Sequence, residues 1–170
     1  TILMTDGYWN SAEASTSAAR NNVDNSSGAT ITGSNGETYT YSPVSPYKDH
    51  HSNILADVAH YYWKRDLHST LDNNVPTSNI NPAFWQHMVT FGVGLGVTGT
   101  IDPEDAFNAI GSGADITWPF PGGNQGKIDD LLHAAVNSRG GFFSAKDPES
   151  FASDMAEILI NIVERTSSAS

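Results

Sequence analysis

Thr1-Ile2-Leu3-Met4-Thr5-Asp6-Gly7 is the stretch from which the fold can be read. A short apolar run stops at Thr-Asp-Gly, the pattern of a buried parallel strand that delivers a carboxylate to the C-terminal edge of a sheet. Ligands of open α/β sheets bind at that edge. Runs of this kind are interior strands, yet nothing precedes this one. The sequence is therefore expected to be the second half of a domain whose first half lies upstream. Left alone, Ile2 to Met4 would form an open sheet edge that invites aggregation, so the isolated chain is expected to be poorly stable.

Beyond Gly7 runs a long polar insertion, about residues 8–51, in which Ala29-Thr30-Ile31-Thr32 and Thr38-Tyr39-Thr40-Tyr41 flank Asn35-Gly36. Strand formers around Asn-Gly predict a hairpin, here a small ordered flap. Ile54 to about Leu67 predicts an amphipathic helix with a stripe of Ile54, Leu55, Val58, Ala59, Tyr62 and Trp63. His60 and His68 fall on its polar side. His87 to Val93 reads as a second strand ending in a glycine-rich stretch. Asp102-Pro103-Glu104 opens a short helix to about Ile110. After a second insertion, about residues 94–127 in all, Ile128, Leu131, Leu132, Ala135 and Val136 mark a third helix with Asp129 and Asp130 at its start and Arg139 and Gly140 at its end. Gly141 to Ala145 is a third strand, and Asp147-Pro148-Glu149 caps a last helix with Phe151, Met155, Ile158, Leu159 and Ile162 on one face. Strands alternating with helices imply an α/β fold, a partial Rossmann-like parallel sheet flanked by helices, with a β-hairpin insertion. The domain is expected to occupy residues 1–165, followed by a polar tail at 166–170.

Composition narrows the function. A formal net charge of -11 opposes nucleic acid and anionic lipid, both of which need basic patches, and suits cations. There is no cysteine, hence no disulfide framework. No apolar run approaches the length of a membrane span.

Three features coincide: Ile2-Leu3-Met4-Thr5-Asp6-Gly7, the strand end from Phe91 to Gly96, and Arg139-Gly140-Gly141-Phe142-Phe143-Ser144-Ala145. Together they resemble the second half of a von Willebrand factor type A domain. With Asp6-Gly7-Tyr8-Trp9-Asn10, Leu55-Ala56-Asp57-Val58-Ala59, Tyr61-Tyr62-Trp63-Lys64-Arg65-Asp66-Leu67, Asp72-Asn73-Asn74-Val75-Pro76, Phe84-Trp85-Gln86-His87-Met88 and Ile128-Asp129-Asp130-Leu131, the chain resembles the PilC/PilY family of type IV pilus tip-associated adhesins. The resemblance implies an extracellular module at the pilus tip that promotes pilus assembly, controls retraction and adheres to a host or abiotic surface. Its implied partners are minor pilins and the rest of the same adhesin, namely an upstream half-domain and a C-terminal propeller. It further implies a metal-ion-dependent adhesion site for Mg²⁺ or Ca²⁺, in which Asp6 matches the acid of the third loop and Thr5 stands beside it. The Asp-x-Ser-x-Ser and Thr loops of that site are absent from this chain, so Asp6 needs other polypeptide to complete a metal site.

Other residues carry less. Gly94-Leu95-Gly96-Val97-Thr98-Gly99 matches G-x-G-x-x-G, and a nucleotide-dependent enzyme is the alternative it offers. A dinucleotide site needs a helix that opens at once, whereas Ile101-Asp102-Pro103 intervenes. A metal-free scaffold is the other alternative. The histidines lack zinc-motif spacing, and Ser52 and Ser144 lack a nucleophile-elbow context. Tyr61, Tyr62 and Trp63 read as packing residues, and Trp118 and Phe120 as either contact surface or core closure.

Overall fold

A computed structural model describes residues 1–6, 8, 14–145 and 148–167. Three parallel strands, β1 (Ile2–Thr5), β4 (Phe91–Leu95) and β5 (Gly141–Ala145), lie in the order β1-β4-β5. A separate antiparallel hairpin pairs β2 (Ile31–Thr32) with β3 (Thr38–Tyr39). The helices are α1 (Leu55–Trp63), α2 (Pro103–Ser112), α3 (Asn124–Asn137) and α4 (Pro148–Ser167). This is the expected partial Rossmann-like α/β arrangement, with β4 central and β1 at an edge of the described sheet.

The sequence of β4 shows how the layers form. Phe91 and Val93 point to one face and pack with Ile158 of α4, joined by Met155, Ile2 and Phe143. Gly92 and Gly94 occupy the other face, where a Cβ on Gly92 would come within 2.9 Å of Leu131. Alternating large and absent side chains thus let α3 lie close to one face while α4 covers the other. A second apolar group joins Leu132 and Val136 of α3 to Ala106 and Trp118. A third, away from the sheet, gathers Ile31, Tyr41, Trp63, Ala83, Phe84 and Trp85.

Several boundaries depart from the sequence reading. α1 ends at Trp63 rather than Leu67, because its last carbonyls are claimed from outside: the Met88 amide donates to Tyr62 O at 3.0 Å and the Trp85 indole to Trp63 O at 2.8 Å. β4 begins at Phe91, not His87. Just before it Thr90 N is drawn away to Ser138 Oγ at 2.9 Å, while Val89 O accepts from the Thr1 amine ahead of β1. α3 starts at Asn124, so Asp129 and Asp130 lie inside it rather than at its start. His60 is fully buried, not on a polar side. Its ring lies 4.3 Å from Tyr41 and 5.6 Å from Trp63 by centroid, and Nδ1 bonds Asn137 O at 3.3 Å. Of the last helix's apolar face, Ile158 is buried while Leu159 is exposed. The side chains of Phe151 and Ile162, the Asp147 cap and the tail beyond Ser167 lie outside the described residues, as do Gly7 and Asn10.

The insertion is more than a flap. Its hairpin forms as read, but the segment also sends Val23, Asp24, Ile31, Tyr41 and Asp49 into the interior.

Candidate functional site

Parallel strands bring their C-terminal ends to one rim. Thr5 ends β1 in register with Gly94, and Asp6 follows it, exposed. The loop after β4 crosses the rim and is tied to β5 by Ser144 Oγ, which donates to Val97 O at 3.1 Å. Between this loop, α3 and β5 lies a mainly apolar cleft of about 170 Å³, lined by Thr98, Gly99, Ile101, Leu132, Phe142 and Ser144 among others. A hard divalent cation takes roughly six to eight oxygen ligands. Asp6 supplies far fewer, and among the described residues it is not gathered with other acids or imidazoles. By themselves these residues do not fit Mg²⁺ or Ca²⁺.

The Gly94–Gly99 loop does not have the geometry of a dinucleotide site. α2 opens only at Pro103, with Asp102 capping it through Glu104 N at 2.8 Å. The amides just after the loop are held by the protein: Asp129 Oδ1 accepts from Thr100 N at 2.8 Å and Ile101 N at 3.0 Å, while Oδ2 accepts from the Thr100 hydroxyl at 2.7 Å. Gly99 is required for that approach, since a Cβ there would meet Asp129 Oδ1 at 2.0 Å.

Asp129 illustrates how α3 works. Beyond its exposed first turn the helix is buried almost all round, and its buried polar side chains reach out to other segments. Asp130 accepts from Leu55 N and Ala56 N, both at 2.9 Å, and so caps α1 instead of its own helix. Burial nonetheless pushes Asp130 up to about 7. Asp57 of α1 accepts from Val23 N at 2.6 Å and Ile54 N at 3.4 Å, and is pushed up to about 8 by burial and by the Asp24 charge. Asn137 donates to Asp24 Oδ2 at 2.9 Å, tying the insertion to the end of α3. His133 stacks on Trp118 at 4.0 Å, and its Nε2 lies 2.7 Å from Tyr47 O. Asp24, Asp49 and His133, all buried, each place a donor atom within 4.8 Å of the others. Burial is the main cause of the upward shift at both carboxyls, Asp24 reaching about 7, and of the fall of His133 to about 3.

None of these three residues was singled out in sequence. Asp24 sits in an Asn- and Ser-rich stretch and His133 in an amphipathic helix, and neither context separates a ligand from a solvated residue. The one local hint was an acid beside two histidines, Asp49-His50-His51. Of the aromatic candidates, Trp118 is buried and closes the core, and Phe120 is exposed. Trp63 is core, with Tyr61 and Tyr62 half-buried beside it.

The chain is similar to part of three curated proteins, each named type IV pilus biogenesis factor PilY1 and each from Pseudomonas aeruginosa. The protein of strain PAK is 36% identical over 185 residues, covering 95% of this chain and 15% of that protein. Those of strains UCBPP-PA14 and PAO1 are each 35% identical, covering 99% and 95% of this chain and 16% and 15% of the relatives. The chain thus spans about a sixth of their length. No family model matches it. No solved structure matches it either.

Proposed function

Because the chain belongs to the PilC/PilY family of type IV pilus proteins, we propose that it is a surface-binding module of a pilus biogenesis factor acting at the pilus tip. Similarity across nearly its full length to PilY1, a type IV pilus biogenesis factor, carries this reading. In it the module works outside the cell with minor pilins and the rest of the adhesin, and it contacts a host or abiotic surface. It is a binding module, not an enzyme.

The binding edge is the rim that carries Asp6. An exposed carboxylate at the C-terminal end of a parallel strand is well placed for a ligand. In this reading Asp6, with Thr5 beside it, contributes to a Mg²⁺ or Ca²⁺ site whose remaining ligands come from polypeptide outside this chain. A metal-free scaffold is the competing reading, favoured by how few ligands the described rim offers.

Deleting this module from the full-length protein should abolish surface pili. Asp6→Ala should leave piliation intact and remove most surface attachment, as should a chelator on the wild type. If Asp6→Ala cells attach as wild type does, with or without chelator, the metal-dependent part is wrong and the scaffold stands. If the deletion leaves both pili and attachment unchanged, the whole reading fails.

A further inference from the structure

Asp49 presents an unusual problem. Its Oδ1 accepts from His51 N at 2.7 Å, but Oδ2 is buried with no hydrogen-bond partner. Oδ2 faces His133 Nδ1 at 3.7 Å. At 3.7 Å the two atoms are too far apart to share a hydrogen bond. A metal cation can bridge them, because zinc-type ions sit about 2.0–2.2 Å from imidazole nitrogen and carboxylate oxygen.

The surroundings favour such an ion. His133 Nε2 lies 2.7 Å from the Tyr47 carbonyl, which can only accept, so Nε2 bears the hydrogen and Nδ1 offers its lone pair. Metal-bound histidines are commonly oriented by a backbone carbonyl in this way. Asp24, the third member, has its Oδ2 3.6 Å from His133 Nε2 and is also braced: Asn137 Nδ2 donates to that Oδ2, and Asp49 N donates to its Oδ1 at 3.2 Å. Trp118 stacks flat on the imidazole and fixes the ring plane.

We propose that the carboxylates of Asp24 and Asp49 and the imidazole of His133 bind one divalent transition-metal cation, Zn²⁺ or Mn²⁺, which fastens the insertion to α3. One nitrogen and two carboxylates suit such ions better than Mg²⁺ or Ca²⁺, which favour all-oxygen sets. This site is separate from the Asp6 rim and does not depend on it.

The test uses the full-length protein, stripped with a chelator and titrated with Zn²⁺ or Mn²⁺ by calorimetry and thermal melting, with metal content measured directly. Asp6→Ala removes the rim carboxylate. In that background one equivalent should still bind here and raise the melting temperature. Adding Asp49→Asn, which is nearly isosteric, should weaken binding by more than about 100-fold, beyond the loss of a ligand's supporting partner. His133→Gln should do the same. Asp49→Asn should also melt higher than its parent without metal, since it removes an unpartnered buried carboxylate, yet gain nothing when metal is added. This second readout holds even if His133→Gln does not fold. The proposal fails if the Asp6→Ala protein takes up no metal, or if Asp49→Asn binds and responds as its parent does.

Discussion

Arg139 and Gly140 mark where a residue's role outgrows its sequence context. As a pair they read as the end of a helix, a cation followed by a glycine. In the structure Arg139 turns inward at φ 58°, and its guanidinium lies 3.6 Å from the Tyr47 ring centroid and 3.5 Å from that of Trp63. Gly140 then passes so close to β4 that a Cβ would fall 1.7 Å from Thr90 O, a backbone atom that cannot move aside. Gly140→Ala should therefore destabilise the protein by more than about 3 kcal/mol in chemical denaturation. Gly111→Ala, in α2 with nothing within 4 Å of the new methyl, should stabilise by about 0.5–1 kcal/mol. Equal effects at the two sites would refute the packing argument. The helix end was legible because its signals are local. The cation's destination was not, since Tyr47 and Trp63 reach it only through the folded insertion and α1.

At the scale of elements, the start of α1 is held by two buried carboxyls, Asp57 from within and Asp130 from α3. Burial raises both, to about 8 and about 7, from the ordinary 3.8. A raised folded value means the folded state holds these protons more tightly than the unfolded chain does. Their stabilisation is complete below pH 3.8 and is lost as pH rises through about 7–8. His60 runs the other way: burial first, then Arg139, holds it well below 6.5, so its contribution is lost as pH falls below 6.5. Chelator-treated protein should thus lose stability from pH 6.5 to 8, by up to about 1.4 kcal/mol per pH unit for each carboxyl still titrating. Asp57→Asn should flatten that slope; an unchanged slope by denaturant titration would show that the carboxyl does not titrate there. Sequence periodicity identified α1 and α3 as helices. It could not tell that α3 is enclosed beyond its first turn, because Asp129, Asp130, His133 and Asn137 look like a solvated face until each meets its partner segment.

For the molecule as a whole, the strand and helix alternation was legible because each element carries its own period, whereas the insertion outside its hairpin carries none. Its structure comes from a tie within it and from anchors to α1. Tyr41 Oη donates to Asp24 O at 2.6 Å, Val23 N donates to Asp57, and Lys64 Nζ donates to Val23 O and Ser26 O. Tyr41 also shares an apolar group with Trp63 and Trp85, so the insertion and α1 have a common interior. A segment anchored in this way should unfold with the sheet, not before it. Amide exchange at Val23 and Asp49, both bonded to buried carboxylates, should then report the same opening free energy as amides in α3. Tyrosine and tryptophan signals from the insertion core should melt together with far-ultraviolet helicity. Tyr41→Phe removes one buried hydrogen bond and should lower both transitions together, by about 1 kcal/mol. Were the insertion an independent flap, Tyr41→Phe would shift only an early transition and leave α3 protection untouched.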